Sequence, residues 1–333
     1  MIDVSQVIRK SSHFTKRWMK KVIAPSTLIA EVSKVIPISD RWYVKGRYLL
    51  TFGRALDLAN PLTFTAKLQW LKVYGRPKQY APLADKFAVY DYVRARTGER
   101  HLNRMLGVYQ QASEIPWDDL PDQFVLKATH ASGWNLIVSD KKRLDRQQAM
   151  QTCHRWLKTS YSARSREPVY EDIPPRIICV EYLGDPDTEL FDYKLYCFNG
   201  KVRLVHVDTE RFSRHQRTYY TPDWQRLPFS YTYPPRSEDV PQPAALKEMI
   251  SLAELLAGTI PFVRVDFFFI HNQIIFGEMT FFPDAGFGAF NPPEWDAIIG
   301  SYLQLPAPGK SSRSNPVRRS RSDGGSGPPP PPW

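Results

Sequence analysis

Two neighbouring segments near the C-terminal end place acidic and basic side chains at a spacing that suits metal and phosphate chemistry. Arg264 and Asp266 are two residues apart in FVRVDFFFI, so a strand would point both to one face. Glu278 and Thr280 have the same spacing in the following segment, QIIFGEMT. A buried carboxylate needs a partner, and Mg²⁺ commonly takes one or two carboxylates together with substrate phosphates. The strand pair therefore predicts a metal site in a nucleotide-dependent enzyme.

A second candidate site lies at the end of the predicted strand FVLK. Lys127 closes this strand and precedes a loop of small residues, ATHASGWN. A lysine beside such a loop presents one point charge and several backbone N–H groups, which is a common way to bind phosphate. His130, Ser132 and Asn135 add side-chain donors. An ordinary glycine turn explains the same residues, because the spacing matches neither a Walker loop nor GxGxxG.

Three further strands carry polar residues among apolar neighbours. Glu181 lies near the end of RIICVEYL, where an adenine could stack and take backbone hydrogen bonds. Asp192 and Lys194 share one face of FDYKLYCF, and the lysine needs an anion, either a ligand or Asp192 itself. His206 and Asp208 line one face of the next strand. The basic loop that follows either holds an acidic acceptor or is simply solvated.

The composition is that of a globular chain. The 333 residues are 42% hydrophobic and 13% aromatic, which argues against a disordered protein, and the three cysteines form no CxxC pair. We therefore expect a reducing compartment without a disulfide framework. No apolar run approaches the ~18 residues of a membrane span, and no signal peptide is recognisable. The expected location is the cytoplasm.

The net charge of +11 is concentrated at the two ends. Residues 1–60 hold 11 Lys and Arg against 4 Asp and Glu, and residues 305–333 hold 5 against 1, so the body is close to neutral. Enzymes of nucleic acids are usually basic across their working face, so no nucleic-acid partner is expected. Basic ends suit an anionic membrane surface or an acidic polymer, and they equally suit solubility alone.

The order of predicted elements is that of an α+β protein. The basic segment KRWMKK precedes a helical stripe at 27–36, which is typical of a helix that lies on a membrane or packs on its own domain. Further helices are predicted near Thr63 and from Leu83 to Arg96. Strands and helices then mix, with a hairpin at Asn199-Gly200, and the order is not a regular βαβα repeat. From Pro306 onward the Ser, Arg, Gly and Pro content predicts a disordered tail.

Together these segments resemble the TupA-like branch of the ATP-grasp superfamily, named for teichuronopeptide biosynthesis. The resemblance covers roughly residues 55–300 and rests on NPLTFTAKLQWLK, LADKFAVYDYV, FVLKATHASG, DYKLYCFNGK, FVRVDFF and FGEMTFFPDAGFGAFNPPEWD. It implies an ATP-grasp fold, in which two α+β lobes hold a nucleotide between them, with a helical N-terminal extension. The expected domains are a basic helical extension at 1–54, a catalytic region at 55–304 and a disordered basic, Pro-rich tail at 305–333.

The resemblance also implies a role for each matching position. Two lysines would contact the phosphates of ATP, a loop would fold over them, and the end of RIICVEYL would form the adenine hinge. Two carboxylates and a hydroxyl would hold Mg²⁺, and an arginine would steady the transferred phosphoryl group. The implied catalytic residues are Arg264 and Lys194; the nucleotide-binding residues are Lys127, His130, Ser132, Gly133, Glu181, Tyr182, Leu183 and Lys194; the metal ligands are Asp266, Glu278 and Thr280.

The implied reaction is an ATP-dependent ligation. Transfer of the γ-phosphate converts a carboxylate into an acyl phosphate, and an amine then displaces the phosphate to give an amide. We expect ATP and Mg²⁺ as cofactors, and a small carboxylate with an amine or glycan acceptor as substrates. The expected setting is the synthesis of a cell-surface polysaccharide or peptide polymer, with peripheral association at the inner face of the membrane.

Two departures from the family pattern keep other functions open. Ala131 and Trp134 stand where relatives tend to have glycines, and Thr280 stands where many ATP-grasp enzymes have Asn. A neutral hydroxyl at that position reshapes the second metal site. One alternative is a glycan kinase or a glycosyltransferase-associated protein of polysaccharide synthesis, since the same metal site serves transfer to a hydroxyl. The other is a non-catalytic scaffold that kept the fold.

Overall fold

The computed structural model describes residues 38–184, 190–209 and 215–307. Several predictions concern segments outside these residues: KRWMKK, the helical stripe at 27–36, most of the basic loop and the tail from residue 308 onward. Within the described ranges, no helix combines the length and the apolar character needed to cross a membrane.

The α-helices are concentrated before the first strand and around the larger sheet. They are α1 (Asp40–Phe52), α2 (Phe64–Tyr74), α3 (Ala81–Ala84), α4 (Val89–Thr97), α5 (Arg146–Leu157), α6 (Tyr161–Ser165), α7 (Leu246–Ala257) and α8 (Trp295–Ser301). Short 3-10 helices are formed by Pro77–Tyr80, Glu99–His101, Ala112–Glu114, Lys141–Arg143, Pro168–Tyr170 and Pro283–Gly286.

Side-chain caps explain several of the helix boundaries. Thr63 caps α2, because its hydroxyl accepts from the backbone N–H of Ala66 at 3.3 Å. The helix predicted from Leu83 to Arg96 is interrupted at Asp85, which is extended and accepts from the N–H of Phe87 at 2.8 Å. This side-chain bond competes with the helical ladder, so α3 ends and α4 begins four residues later.

The strands form three antiparallel sheets, which confirms the predicted α+β class. A four-stranded sheet has the order β1-β4-β2-β3, a five-stranded sheet has the order β10-β9-β5-β6-β7, and β11 pairs with β8. The strands are β1 (Met105–Tyr109), β2 (Phe124–Ala128), β3 (Asn135–Val138), β4 (Ile177–Glu181), β5 (Asp192–Phe198), β6 (Lys201–Thr209), β7 (Gln216–Tyr220), β8 (Ser230–Tyr231), β9 (Phe262–Ile270), β10 (Gln273–Thr280) and β11 (Phe290–Asn291).

Two separate cores correspond to the two expected lobes. The smaller core lies between the four-stranded sheet and α5, and it includes Phe124, Leu126 and Trp156. The larger core joins the five-stranded sheet to α7 and to the helices of the N-terminal part. In β9 the core residues Val263 and Val265 alternate with charged residues, so the opposite face of this sheet is left for polar chemistry.

Candidate active site

A cavity of about 610 Å³ lies between the two lobes and contains most of the predicted site residues. Residues from both sheets line it, together with residues from α1 and from the segment after α6. The phosphate-loop side supplies Lys86, Lys127, Ser132, Gly133 and Asn135; the strands of the larger sheet supply Asp192, Lys194, Asp208, Arg264, Asp266, Glu278 and Thr280; the other polar residues of the lining are Arg47, Glu167, His215, Arg217, Tyr233 and Asp284.

A transverse row of polar residues crosses four strands of the larger sheet, and its first three members line the cavity. Glu278 on β10 is paired with Asp266 on β9, which is paired with Lys194 on β5, which is paired with His206 on β6. Residues directly opposite each other in antiparallel strands share one face of the sheet. The predicted pairing of the two carboxylates is therefore observed, and it is extended by a lysine and a histidine.

A β-bulge at Gly277 brings Glu278 onto this face. Phe276 pairs with Phe267 on the core side, but the next pair is Glu278 with Asp266, so Gly277 is skipped in the register. Strict alternation would put Glu278 on the same side as Phe276, in the core. The extra residue reverses the alternation and directs the carboxylate into the cavity.

The cations of the chain itself compensate the buried carboxylate of Asp266. Arg264 donates two hydrogen bonds to it, from Nε and Nη2, both at 2.7 Å, and Lys194 Nζ donates a third at 2.9 Å. Lys194 also donates to Asp192 and lies 3.9 Å from Asp208. Arg264 reaches the hydroxyl of Thr280 at 3.0 Å. The partner that the sequence argument required for this carboxylate is thus already present.

The carboxylate of Glu278 is more accessible, with 31% of its side chain exposed. Burial raises its pKa, but the positive charges of Lys86, Arg264, Lys194 and Lys127 outweigh that effect and lower the pKa to about 2. The hydroxyl of Thr280 donates to Glu278 Oε1 at 3.2 Å. The side chain is therefore an anion throughout the neutral range.

This donor set fits Mg²⁺ that is shared with a phosphate ligand. Asp266, Glu278 and Thr280 supply only oxygen atoms, the ligands that Mg²⁺ prefers. Across the described ranges, three or more His, Cys, Asp or Glu side chains are nowhere grouped so as to hold a metal by themselves. Mg²⁺ is usually held by one or two carboxylates, with water and substrate phosphates completing its shell.

The predicted phosphate loop lies at one end of this row. Lys127 on β2 pairs with Asn135 on β3, and Ser132 and Gly133 form the cavity wall between them. Lys86, which the sequence argument left without a role, is buried here. Its ammonium donates to the carbonyl oxygen of Ala131 and lies 3.7 Å from Glu278 Oε2, so it connects the loop with the carboxylate row.

His130 does not belong to the cavity lining, although the resemblance assigned it to the nucleotide. It is buried, and its Nε2 lies 3.1 Å from the carbonyl oxygen of Trp156. Trp134 packs edge-on against His130 with ring centroids 5.7 Å apart and stacks on Trp156 at 6.2 Å. Ala131 is fully buried. The residues that replace the expected glycines thus anchor the loop in the smaller core.

The predicted adenine hinge is also placed apart from the main cavity. Glu181 and Tyr182 line a different cavity of about 550 Å³, and Leu183 lines neither. The backbone N–H of Glu181 donates to the carbonyl of Arg104 at 3.0 Å, and its carbonyl accepts from Asn103 at 2.9 Å. These main-chain groups are already used within the protein.

A small apolar cluster that the sequence argument missed lies on the same sheet face as Lys127. In β2, Val125 alternates with the core residues and therefore shares a face with Lys127. It packs with Ile178 and Val180 of β4, and Phe87, Met105 and Tyr182 border the cluster. No periodic pattern links these residues in sequence, since they come together only through strand pairing.

Another part of the cavity wall is formed by residues around Asp208. Arg217 Nε donates to Asp208 at 3.0 Å, and Nε2 of His215 lies 2.9 Å from the same carboxylate. Arg217 also donates to Asp284 at 3.0 Å, and its guanidinium lies 4.9 Å from the ring centroid of Tyr233. Of the basic loop predicted from the sequence, His215 and Arg217 thus line the cavity.

Comparisons with known proteins agree with this architecture. A family model described as TupA-like ATPgrasp matches residues 66–304. Among curated proteins, none matches the chain.

Three solved structures resemble parts of the chain. D-alanine–D-alanine ligase from Bacillus anthracis, complexed with ATP, is 15% identical with a TM-score of 0.37, covering 66% of this chain and 62% of that one. N5-carboxyaminoimidazole synthase from Aspergillus clavatus is 12% identical with a TM-score of 0.35 (66% and 47% covered). Phosphoribosylamine–glycine ligase from Thermotoga maritima is 11% identical with a TM-score of 0.39 (61% and 49% covered). The chain thus spans less than two thirds of each, and at these scores the likenesses carry no argument about activity.

Proposed function

The chain belongs to the TupA-like ATP-grasp family, and on that premise we propose that it is an ATP- and Mg²⁺-dependent ligase that joins a carboxylate to an amine. The observation that carries the proposal is the transverse row, of which Glu278, Asp266 and Lys194 line the inter-lobe cavity. Carboxylates for a metal, cations for phosphate and a small-residue loop meet there in one space. Phosphoryl transfer needs such an arrangement, because positioning and charge neutralisation supply most of the catalysis.

The proposed roles follow from the positions of the side chains. Lys127, Lys86 and the Ser132–Gly133 segment bind the nucleotide phosphates, since they form the wall on the smaller lobe. Asp266 and Glu278 hold Mg²⁺ with assistance from Thr280. When bound, the metal neutralises charge on the phosphate oxygens. Arg264 and Lys194, which now neutralise Asp266, then stabilise the charge that develops on the transferred group.

We place the adenine on the apolar cluster around Val125 rather than at the predicted hinge. A purine needs a flat apolar surface with a few polar groups at its rim. Val125, Ile178 and Val180 lie next to Lys127 beneath Phe87, Met105 and Tyr182, so a purine would take the place of one or more of those bordering side chains. Val125→Asp should therefore weaken ATP binding, whereas Val138→Ala, in the smaller core, should affect stability alone.

Product analysis tests the proposed function. A ligase releases ADP and phosphate only when a carboxylate and an amine are both present, so we propose to screen ADP release over pairs of amino acids and uronic acids. Mg·ATP should raise the melting temperature, since a ligand at 100 times its Kd stabilises by about 2.7 kcal/mol. Absence of any Mg·ATP-dependent shift would leave only the non-catalytic scaffold. ADP release with a phosphorylated hydroxyl product would instead identify a glycan kinase.

We assign the biological setting to the synthesis of a cell-surface polysaccharide or peptide polymer in the cytoplasm, beside an anionic membrane or acidic polymer. The family name and the basic ends of the chain support this assignment. Binding of the full chain to anionic vesicles tests the membrane part.

A further inference from the structure

The end of the cavity beside Tyr161, whose ring packs edge-on against Trp134 of the phosphate loop at 5.5 Å, contains a buried carboxylate that the proposed phosphoryl transfer does not use. Glu167 is 4% exposed and lines the cavity. In the part of the chain that the structure describes, its carboxylate makes no ion pair within 4.0 Å. The hydroxyl of Tyr161 donates to Glu167 Oε1 over a long 3.5 Å, and the hydroxyl of Ser165 gives a second hydrogen bond. Neutral hydroxyl groups compensate a buried carboxylate less than a paired cation does.

An arginine with a similar deficit lines the same end of the cavity. The guanidinium of Arg47 lies 4.2 Å from the ring centroid of Phe287, and its Nη1 donates to Tyr43 at 3.2 Å. Its Nε is buried without a hydrogen-bond partner. Arg47 belongs to α1, which lies before the first residue that the family model matches.

The backbone fixes these two side chains at one end of the cavity. Arg166, which precedes Glu167, has a left-handed φ of 54°, and its Nη1 donates to Asp40 of α1 at 3.1 Å. Non-glycine residues in this conformation are strained and tend to cluster at functional sites. The segment that carries Glu167 is therefore bound to the helix that carries Arg47.

The two opposite charges act on each other without forming a pair. Burial raises the pKa of Glu167 to about 7, while the nearby positive charges of Lys72 and Arg47 act in the opposite direction. Lys72, the stronger of the two charges, donates its hydrogen bond to the carbonyl of Ala285 at 2.6 Å and forms no ion pair with Glu167 within 4.0 Å among the described residues. A cation and an anion that line the same cavity without pairing can bind the carboxylate and the ammonium group of one zwitterionic ligand.

On the basis of the proposed ligase function, we propose that this end of the cavity binds the amine substrate as an amino acid, with its ammonium group at Glu167 and its carboxylate at Arg47. A charged group buried beside an opposite charge gains a charge-assisted hydrogen bond, which is stronger than a neutral one. A simple amine would satisfy Glu167 alone and would leave Arg47 without its ligand.

Glu167 has a chemical task in this arrangement, because an ammonium group has no lone pair with which to attack. Its carboxylate takes one proton from the ammonium nitrogen and later releases it to solvent. The freed lone pair forms the C–N bond at the carbonyl carbon of the acyl phosphate. The C–O bond to phosphate breaks, and phosphate leaves with that electron pair. The second proton on nitrogen ends on the phosphate, which departs as HPO4²⁻ beside the amide.

Hydroxylamine distinguishes this role from a structural one. It is largely neutral at neutral pH and has no carboxylate, so it traps an acyl phosphate without needing Glu167 or Arg47. We expect Glu167→Gln to lower amide formation from the amino acid by about 10²-fold, as loss of a general base does, with hydroxamate formation persisting. Arg47→Met should raise the KM for the amino acid about 10-fold, which corresponds to about 1.4 kcal/mol.

Matched controls lie on the same elements. Glu171→Gln changes an exposed carboxylate four residues from Glu167, and Arg41→Met changes an exposed arginine of α1; neither should alter turnover. Melting temperature and Mg·ATP binding are measured for every variant. Should Glu167→Gln fail to fold, Glu167→Asp takes its place, because it keeps the charge but shortens the reach and should show the same selective loss.

The outcomes separate the two proposals. If the wild type forms neither hydroxamate nor amide with any carboxylate tested, the ligase function itself fails. If hydroxamate forms but Glu167→Gln lowers amide and hydroxamate equally, or lowers neither, the assignment of Glu167 is wrong. If methylamine replaces glycine or any other amino acid without a rise in KM, or Arg47→Met leaves that KM unchanged, the assignment of an amino acid is overturned.

Discussion

At the scale of single residues, the site is organised around Asp266. Its carboxylate is 2% exposed and is held by Arg264 and Lys194, so burial and charge compensation are inseparable here. Glu278, directly across the strand pair, is partly exposed and has weaker partners. The two proposed metal ligands therefore differ in what they contribute to the fold, although they serve the same ion.

This difference predicts how substitutions at the two positions separate stability from activity. Asp266→Asn leaves two buried cations without their anion, and we expect a loss of about 3–5 kcal/mol in the free energy of unfolding. Glu278→Gln should cost less, about 1 kcal/mol, because its carboxylate is partly exposed and its ion pairs with Arg264 and Lys86 are long, at 3.6 and 3.7 Å. Both should abolish Mg·ATP-dependent turnover. Denaturant unfolding with ADP-release assays checks this, and retained turnover in the double variant would remove the metal assignment.

Glu167 predicts a pH dependence of stability. Its pKa is raised from 4.5 to about 7 by burial, so between these values the folded protein holds a proton that the unfolded chain has lost. The contribution of Glu167 to the free energy of unfolding is therefore fully present below about pH 4.5 and is lost as the pH rises through 7. The melting temperature of Glu167→Gln relative to wild type should rise from pH 5 to pH 7 and level off above it. A constant difference across that range would contradict the raised pKa of Glu167.

At the scale of elements, local irregularities aim the side chains. The bulge at Gly277 turns Glu278 out of the core, and the turn Pro283–Gly286 presents Asp284 and Ala285 to the cavity with left-handed φ values of 48° and 52°. Lys72 and Gln69 of α2 hold this turn by donating to the carbonyls of Ala285 and Gly286. The regular strands form the polar face of the larger sheet, and the bulge and the turn determine which side chains point into the cavity.

Gly286 allows a test of this turn against a matched glycine. Gly286 and Gly53 have φ values of 67° and 66°, but a Cβ at Gly286 would lie 2.5 Å from Gln69 Nε2, whereas one at Gly53 meets nothing within 4 Å. Gly53→Ala should cost only the left-handed conformation, about 1–2 kcal/mol. Gly286→Ala should cost about 1–3 kcal/mol more and should raise the KM for the acceptor. Equal losses in the two variants would show that the turn tolerates displacement.

Regular alternation made part of this site predictable from sequence. The spacing in FVRVDFFFI correctly placed Arg264 and Asp266 on one face, and the FVLK strand brought Lys127 to the cavity. The transverse row was not predictable, because it depends on β5 lying between β9 and β6 in the sheet. Arg47 and Glu167 were missed because each lies in a segment without a charge pattern, and they meet only when α1 packs against the segment after α6.

At the scale of the whole molecule, a buried carboxylate helps to join the end of α1 to the body. Asp296 of α8 accepts from Arg54, just after α1, at 2.7 Å, and from the backbone N–H and hydroxyl of Thr65 at 2.8 Å and 2.6 Å. These bonds fix the exit of α1 and the start of α2 together. A helix outside the family match thereby becomes part of the cavity wall.

The net positive charge of the chain is concentrated at its two ends, whereas the body is close to neutral. If the ends meet an anionic membrane, replacing Arg318, Arg319 and Arg321 with Ser should weaken binding to phosphatidylglycerol vesicles by about 1 kcal/mol for each arginine. Mg·ATP turnover should not change, because the cavity is formed by the body. Cosedimentation at low and high salt measures this effect. Equal binding to neutral vesicles, or none to either kind, would show that the ends serve solubility alone.

The three hydrogen bonds on Asp266 should couple binding of the proposed metal to binding of the proposed nucleotide. Mg²⁺ arriving alone has to displace Arg264 and Lys194 from their carboxylate and leave them with no anion. Nucleotide binding alone draws the same cations towards its phosphates and leaves the carboxylate of Asp266 without a partner. Each ligand removes the penalty that the other incurs, and such coupling is reciprocal. Calorimetry should therefore find weak binding of Mg²⁺ or ATP alone and much tighter binding when both are present, because the metal and the nucleotide bind as a complex.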